Sequence, residues 1–184
     1  MSAEKQYIEL FGECRGMIDG HACDVMNSVR ESAFERFQRV GFATRKAERY
    51  KYTDMQALFE PDYGLNLNRL QIPVNPYDVF RCDVPNLSTQ LYFVVNDAFY
   101  SAADNEAADE HAPHGRQRLP EGVLIGSLRA LLPRVPEVAR RLYDQLAGGD
   151  DDGVTALNTM LAQDGLLVYV PRGCVVDKVV QVIN

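Results

Sequence analysis

The sequence has no tryptophan, only three histidines and only four cysteines. A Ser or Cys nucleophile would therefore have only His21, His111 and His114 to choose from as an imidazole base. The cysteines are Cys14, Cys23, Cys82 and Cys174, and no two of them form a Cys-x-x-Cys pair. That spacing excludes a zinc ribbon or a paired redox dithiol. Positive charge is also short, with 19 Lys and Arg against 26 Asp and Glu and a net charge of -7. A protein that binds by neutralising a run of phosphates needs the opposite balance, so no nucleic-acid partner is expected. No apolar run approaches the ~20 residues that span a bilayer, and the first residues show no secretory signal pattern. The expectation is a cytoplasmic protein with reduced thiols and no membrane partner. Dinucleotide, P-loop, nucleophile-elbow and zinc-protease fingerprints are all missing.

What the chain does have is an ordinary globular composition, 46% hydrophobic and 24% charged over 184 residues. A chain of this length buries about 70% of its extended surface and needs no staple to fold. Tyr7, Leu10, Phe11, Cys14, Met17 and Ile18 recur at helical spacing, predicting a helix from about Lys5 to Gly20. Met26, Val29, Ala33, Phe37 and Val40 repeat the pattern up to Gly41, giving a helical hairpin with its bend near Gly20 and His21. Thr44 is placed to cap a short turn, and Thr53 with Gln56 fits a capping box for a helix reaching Phe59. Residues 64–84 read as irregular extended chain or isolated short strands. Leu91 to Val95 predicts a strand, and Asn96-Asp97 a two-residue turn into Ala98-Phe99-Tyr100.

The segment 102–117 is acidic and alanine-rich and reads as a mobile surface loop. A strand Val123–Ile125, a helix capped by Ser127, and a helix from Pro136 to Leu146 follow. Asp152 precedes a helix bearing Ala156, Leu157, Met160 and Leu161. The chain then turns to strand pieces at Leu166–Val170, Val175-Val176 and Val179–Ile183. Three regions are read: 1–85, helical with an extended connector; 86–150, a small α/β region; and 151–184, the start of a β-helix core. The fold class is α+β. Short strands at close spacing need stacked neighbours, so Asn184 is not expected to be the natural C-terminus.

The candidate chemistry is sparse. Cys14, His21 and Cys23 lie close in sequence, but Cys14 sits on an apolar helix face, where cysteine behaves as a small hydrophobe. His111 and His114 form an HxxH in the acidic loop, without a fixed geometry for a metal. Cys174 has only Arg172 and Lys178 nearby to lower its pKa and reads as a strand cysteine. Asp150, Asp151 and Asp152 lack the alternating ligands of a calcium loop and fit a hinge and cap. No catalytic, cofactor-binding or metal-binding residue is assigned. The most distinctive stretch runs from Arg45 to Tyr52, basic and aromatic together. It reads as a connector whose Tyr50 and Tyr52 pack under Lys and Arg stems, or alternatively as a partner-binding patch.

That stretch belongs to a larger pattern. Gly41-Phe42-Ala43-Thr44-Arg45-Lys46, then Glu48, then Tyr50-Lys51-Tyr52-Thr53-Asp54 closely resembles the G-[LF]-P-T-[RK]-[RK]-x-E-x-W-[KR]-Y-T segment of the SufD family. Ala43 replaces the usual proline and Tyr50 the usual tryptophan. Ala156-Leu157-Asn158, Leu161, Asp164-Gly165 and Val168-Tyr169-Val170-Pro171-Arg172-Gly173 resemble the stretch that leads into that family's β-helix, with Val179 where proline is common. The first motif favours SufD over its paralogue SufB. The resemblance implies the N-terminal part of a non-catalytic scaffold subunit for iron–sulfur cluster assembly. SufB-like and SufC-like partners are implied, engaged mainly beyond Asn184. It implies no cofactor in this chain; the whole complex handles an iron–sulfur cluster, and ATP through its ATPase subunit. The alternatives are a stand-alone interaction module, or a metal- or thiol-active protein using Cys14, Cys23 or Cys174.

Overall fold

The computed structural model describes residues 2–70, 73–80, 89–100, 119–146 and 152–184. Eight helices are described: α1 Ala3–Gly20, α2 Asp24–Ser28, α3 Arg30–Val40, α4 Met55–Phe59, α5 Pro76–Val79, α6 Leu128–Leu131, α7 Pro136–Leu142 and α8 Gly153–Leu161. Five strands are described: β1 Thr89–Val95, β2 Ala98–Phe99, β3 Leu124–Ser127, β4 Leu166–Tyr169 and β5 Val179–Ile183. The mixture of helix and sheet agrees with the expected α+β class. Two compact units are interleaved along the chain: residues 1–69 with 132–163, and residues 70–131 with 164–184. The three consecutive regions read from sequence cut across this division.

The first unit is helical. The apolar stripe of α1 buries Tyr7, Phe11 and Ile18 against Ala33 and Phe37 of α3 and Ala156, Leu157 and Met160 of α8. The second predicted helix is broken at Val29, which caps α3 after α2 has closed on Asn27. The break serves the next residue. Arg30 is 0% exposed and sits amid the helices. Its Nη1 donates to the carbonyls of Met160 at 2.8 Å and Ala162 at 2.9 Å, and its Nη2 to Asn27 Oδ1 at 2.9 Å. Arg30 Nε lies 2.8 Å from Asp19 Oδ1 as an ion pair without hydrogen-bond alignment. The guanidinium thus stitches the end of α1, the start of α3 and the orphan carbonyls at the end of α8.

α7 ends at Leu142, four residues short of the predicted Leu146. The reason is Asp144. It adopts a left-handed backbone with φ 58°, and its carboxylate accepts from Arg36 Nη2 at 2.8 Å and Thr159 Oγ1 at 2.7 Å. Tyr143 beside it is pushed up to about 12, by burial first and by the Asp144 charge, with Arg30 opposing.

The second unit carries the sheets. β1 pairs antiparallel with β2 through Asn96 and Asp97, both at positive φ (46° and 60°), as a two-residue primed turn requires. On its other side β1 pairs parallel with β5, from Thr89 opposite Val179 to Phe93 opposite Ile183. β3 and β4 form a separate antiparallel ladder. Several predicted pieces differ. Residues 76–79 are a short helix capped by Asn75, whose side chain accepts from the Tyr77 amide; Tyr77 and Phe80 pack edge-on against Phe93. Val175-Val176 is not a strand. The predicted loop 102–117 lies outside the described residues. Val168, Val179 and Val182 of β4 and β5 stay exposed.

Arg30 is a fully buried charge among the helices. Arg30→Ala should lower the unfolding free energy by about 3 kcal/mol or more, because it orphans two helix-end carbonyls and empties a fully buried site. Urea unfolding followed by circular dichroism measures this, and a loss under about 1 kcal/mol would show that the buried charge is dispensable.

Candidate functional site

The distinctive segment 41–54 folds back over the helical unit, and its residues divide between two faces. Gly41 takes φ 60° and ψ -160°, a backbone that suits glycine, and turns the chain out of α3. Phe42 then drops into the core, stacking on Phe59 at 4.5 Å and meeting Phe37 and Tyr7 edge-on at 5.2 and 6.0 Å. Its amide donates to Glu4 Oε1, which also accepts from the Gln56 side chain. Burial pushes the Glu4 carboxyl up, but hydrogen bonds from its own backbone, Gln56 and the Phe42 amide prevail and hold it below its ordinary value.

Gln56 is therefore committed to α1. The predicted capping box does not form: Asp54, one residue after Thr53, caps α4 by accepting from the Ala57 amide. Thr44 closes a side-chain turn onto the Lys46 amide, and the single turn of 3₁₀ helix Glu48–Tyr50 follows, capped by Ala47 without a side-chain bond.

The far end of the segment is fixed by one carboxylate. Asp152, 9% exposed at its side chain, is the N-cap of α8. Oδ1 accepts from the Val154 and Thr155 amides at 3.0 and 3.4 Å and from the Tyr50 hydroxyl at 2.9 Å. Oδ2 accepts from Arg49 Nη1 at 2.8 Å. Burial raises the Asp152 carboxyl, yet the Tyr50, Thr155, Val154 and Arg49 hydrogen bonds outweigh it and leave the group below its ordinary value of 3.8. Next to it, a Cβ on Gly153 would overlap the Gly41 carbonyl oxygen. Two glycines let two backbones touch where the segment begins, and one carboxylate holds it where it ends.

Asp164 organises the sheet unit in the same manner. Its Oδ1 accepts from Ser127 Oγ at 2.8 Å and the Arg129 amide at 3.1 Å, and its Oδ2 from the Phe99 amide at 3.1 Å. The aspartate of the second sequence pattern is thus a fastener among β2, β3 and α6. A model of the SufBD protein N-terminal region matches residues 1–182. The chain belongs to the SufBD N-terminal family. No curated protein and no solved structure matches it. Membership places it in the SUF system of iron–sulfur cluster assembly, among the partners of that system in general.

In this SufBD region the other sequence candidates do not converge. Cys14 packs half-buried on the core, and Cys23 precedes α2. His21 Nδ1 lies 3.1 Å from the Leu67 carbonyl, which also accepts from Gln163. Cys174 Sγ is 3.7 Å from the Glu121 carbonyl. Among the described residues no group of three or more His, Cys, Asp or Glu side chains is arranged to hold a metal. Cys82, His111, His114, Asp150 and Asp151 lie outside the described residues. No helix of the described residues is long and apolar enough to cross a membrane. Sequence reasoning finds Asp152 as a cap but misses its second role. It misses Glu4 and Arg30 altogether and names Asp164 only as a member of a pattern, because each of them reaches a partner 35 to 132 residues away in the chain.

Two outcomes test the clasp. Gly153→Ala should cost about 3 kcal/mol or more, since backbone has to move to admit the methyl group; a variant as stable as the parent would contradict the contact. Asp152 titrates lower folded than unfolded, so the unfolded chain takes up the proton first as pH falls. Its contribution is complete above about pH 5 and is lost as pH drops through the folded value. Asp152→Asn should therefore flatten the acid limb of a stability–pH curve below about pH 5, and an unchanged limb would show that Asp152 is not the group responsible.

Proposed function

We propose that the chain is the N-terminal part of a SufD-like scaffold subunit that supports iron–sulfur cluster assembly without catalysing a reaction itself. The observation that carries this reading is the clasp. The SufD-like segment 41–54 closes on the start of α8, the helix that opens the second family-like pattern. The first stretch and the α8 portion of the second are thus parts of one packed unit. The departure at Tyr50 is accommodated: it supplies a ring on the core and a hydroxyl to Asp152.

The β-helix belongs to the proposal as well. The parallel β1–β5 ladder and the outward valines Val168, Val179 and Val182 suit strands that stack further rungs. In this reading the partners are a SufB-like paralogue and a SufC-like ATPase, the compartment is the cytoplasm, and Cys14, Cys23 and Cys174 play no part in chemistry.

Affinity purification of the natural protein from its own cells tests the reading. An ABC-type ATPase and a SufB-like paralogue should come down with it, and the isolated chain should hydrolyse no ATP. Recovery of a SufD-like paralogue instead would assign this chain to SufB. Absence of both partners, or ATP turnover by the chain alone, would overturn the proposal.

A further inference from the structure

The outer face of the segment 41–54 is unused by the fold. Phe42, Arg49 and Tyr50 point their chemistry inward, to the core and to Asp152. Arg45, Lys46, Lys51 and Tyr52 do not. Tyr52 is 91% exposed, so it does not pack as the connector reading expects; its ring meets the Lys51 ammonium, 5.5 Å from the centroid. Arg45 reaches Asp54 at 3.3 Å and Lys51 reaches Glu48 at 4.0 Å, both across open water where such pairs hold little. Lys46 has no acidic partner among the described residues. The outward face thus carries three cations, Arg45, Lys46 and Lys51, against two anions, Glu48 and Asp54, a positive surplus on a chain whose net charge is -7.

An exposed tyrosine on a loose loop would mean little. This one stands on a ridge pinned on both sides, by Gly41 and Phe42 before it and by Tyr50 and Asp54 around it. A pinned ridge has already given up its conformational entropy, so a partner meets a preformed surface. Rigid aromatics beside cations are the residues that dominate protein interfaces. Local positive charge steers the approach of acidic partners.

We propose that Arg45, Lys46, Lys51 and Tyr52 form a docking surface for an acidic segment of a partner protein, with Tyr52 as the anchor and the cations selecting charge. The inference goes beyond the scaffold reading and does not depend on which of the two subunits the chain represents.

The test uses the natural full-length protein in its own cells, with a photo-reactive benzophenone amino acid in place of Tyr52. The cross-linked partner peptide is then mapped by mass spectrometry. The attachment should fall within a segment of net negative charge. Its yield should drop by at least about fivefold when Lys46→Glu and Lys51→Glu are combined. All three side chains are exposed, so thermal melting should be unchanged in these variants. Attachment to nucleic acid or lipid, attachment to peptides without an acidic excess, a yield indifferent to charge reversal, or no cross-linked partner would each overturn the proposal. Co-purification of the ATPase from the same cells reports separately on the scaffold reading.

Discussion

The Asp152 carboxylate is the constraint on which the helical unit depends. It does three things with two oxygens: it caps α8, receives the Tyr50 hydroxyl and pairs with Arg49. A capping aspartate alone is worth about 1 kcal/mol. Here the same charge also fixes a segment some 102 residues away in sequence, so its loss would leave several groups unpartnered at once. Arg30 and Asp144 repeat the device elsewhere in the unit, each charged side chain bridging elements that apolar packing alone would leave free to slide.

This arrangement explains why a stretch that looks like a binding motif is first a structural one. A sequence of alternating basic and aromatic residues suggests a surface that waits for a ligand. In the fold, four of its members are spent on anchoring: Phe42 in the core, Tyr50 and Arg49 on Asp152, Asp54 on α4. Only then does the remainder face outward with a defined shape. Anchoring and display are therefore not rival readings of the segment but two faces of it.

Local periodicity makes α1, α4, α8, the β1–β2 turn and the cap at Asp152 legible in the sequence, because each is determined by neighbours within a few residues. The failures share a cause. Local spacing makes Gln56 a capping residue, yet it reaches Glu4 instead. The helix after Pro136 stops early because Asp144 turns to Arg36 and Thr159, and the long second helix breaks so that Arg30 can be buried. In each case a long-range polar contact overrides a sound local preference, and no single-sequence pattern marks such contacts. The parallel partnership of β1 with β5 is equally hidden, since the chain must close a long loop to bring the two strands together. For the site, the sequence shows where the unusual residues are but not which of them face inward.

A double-mutant cycle on Tyr50→Phe and Asp152→Asn tests the central claim most directly, because it removes the hydroxyl and the charge without emptying the core. If the clasp holds the segment as described, the two changes will couple by about 1 kcal/mol in unfolding free energy. Additive effects, within about 0.3 kcal/mol, would mean that Tyr50 and Asp152 act independently and that the segment is held by its other anchors, Phe42, the Gly41–Gly153 contact and Asp54.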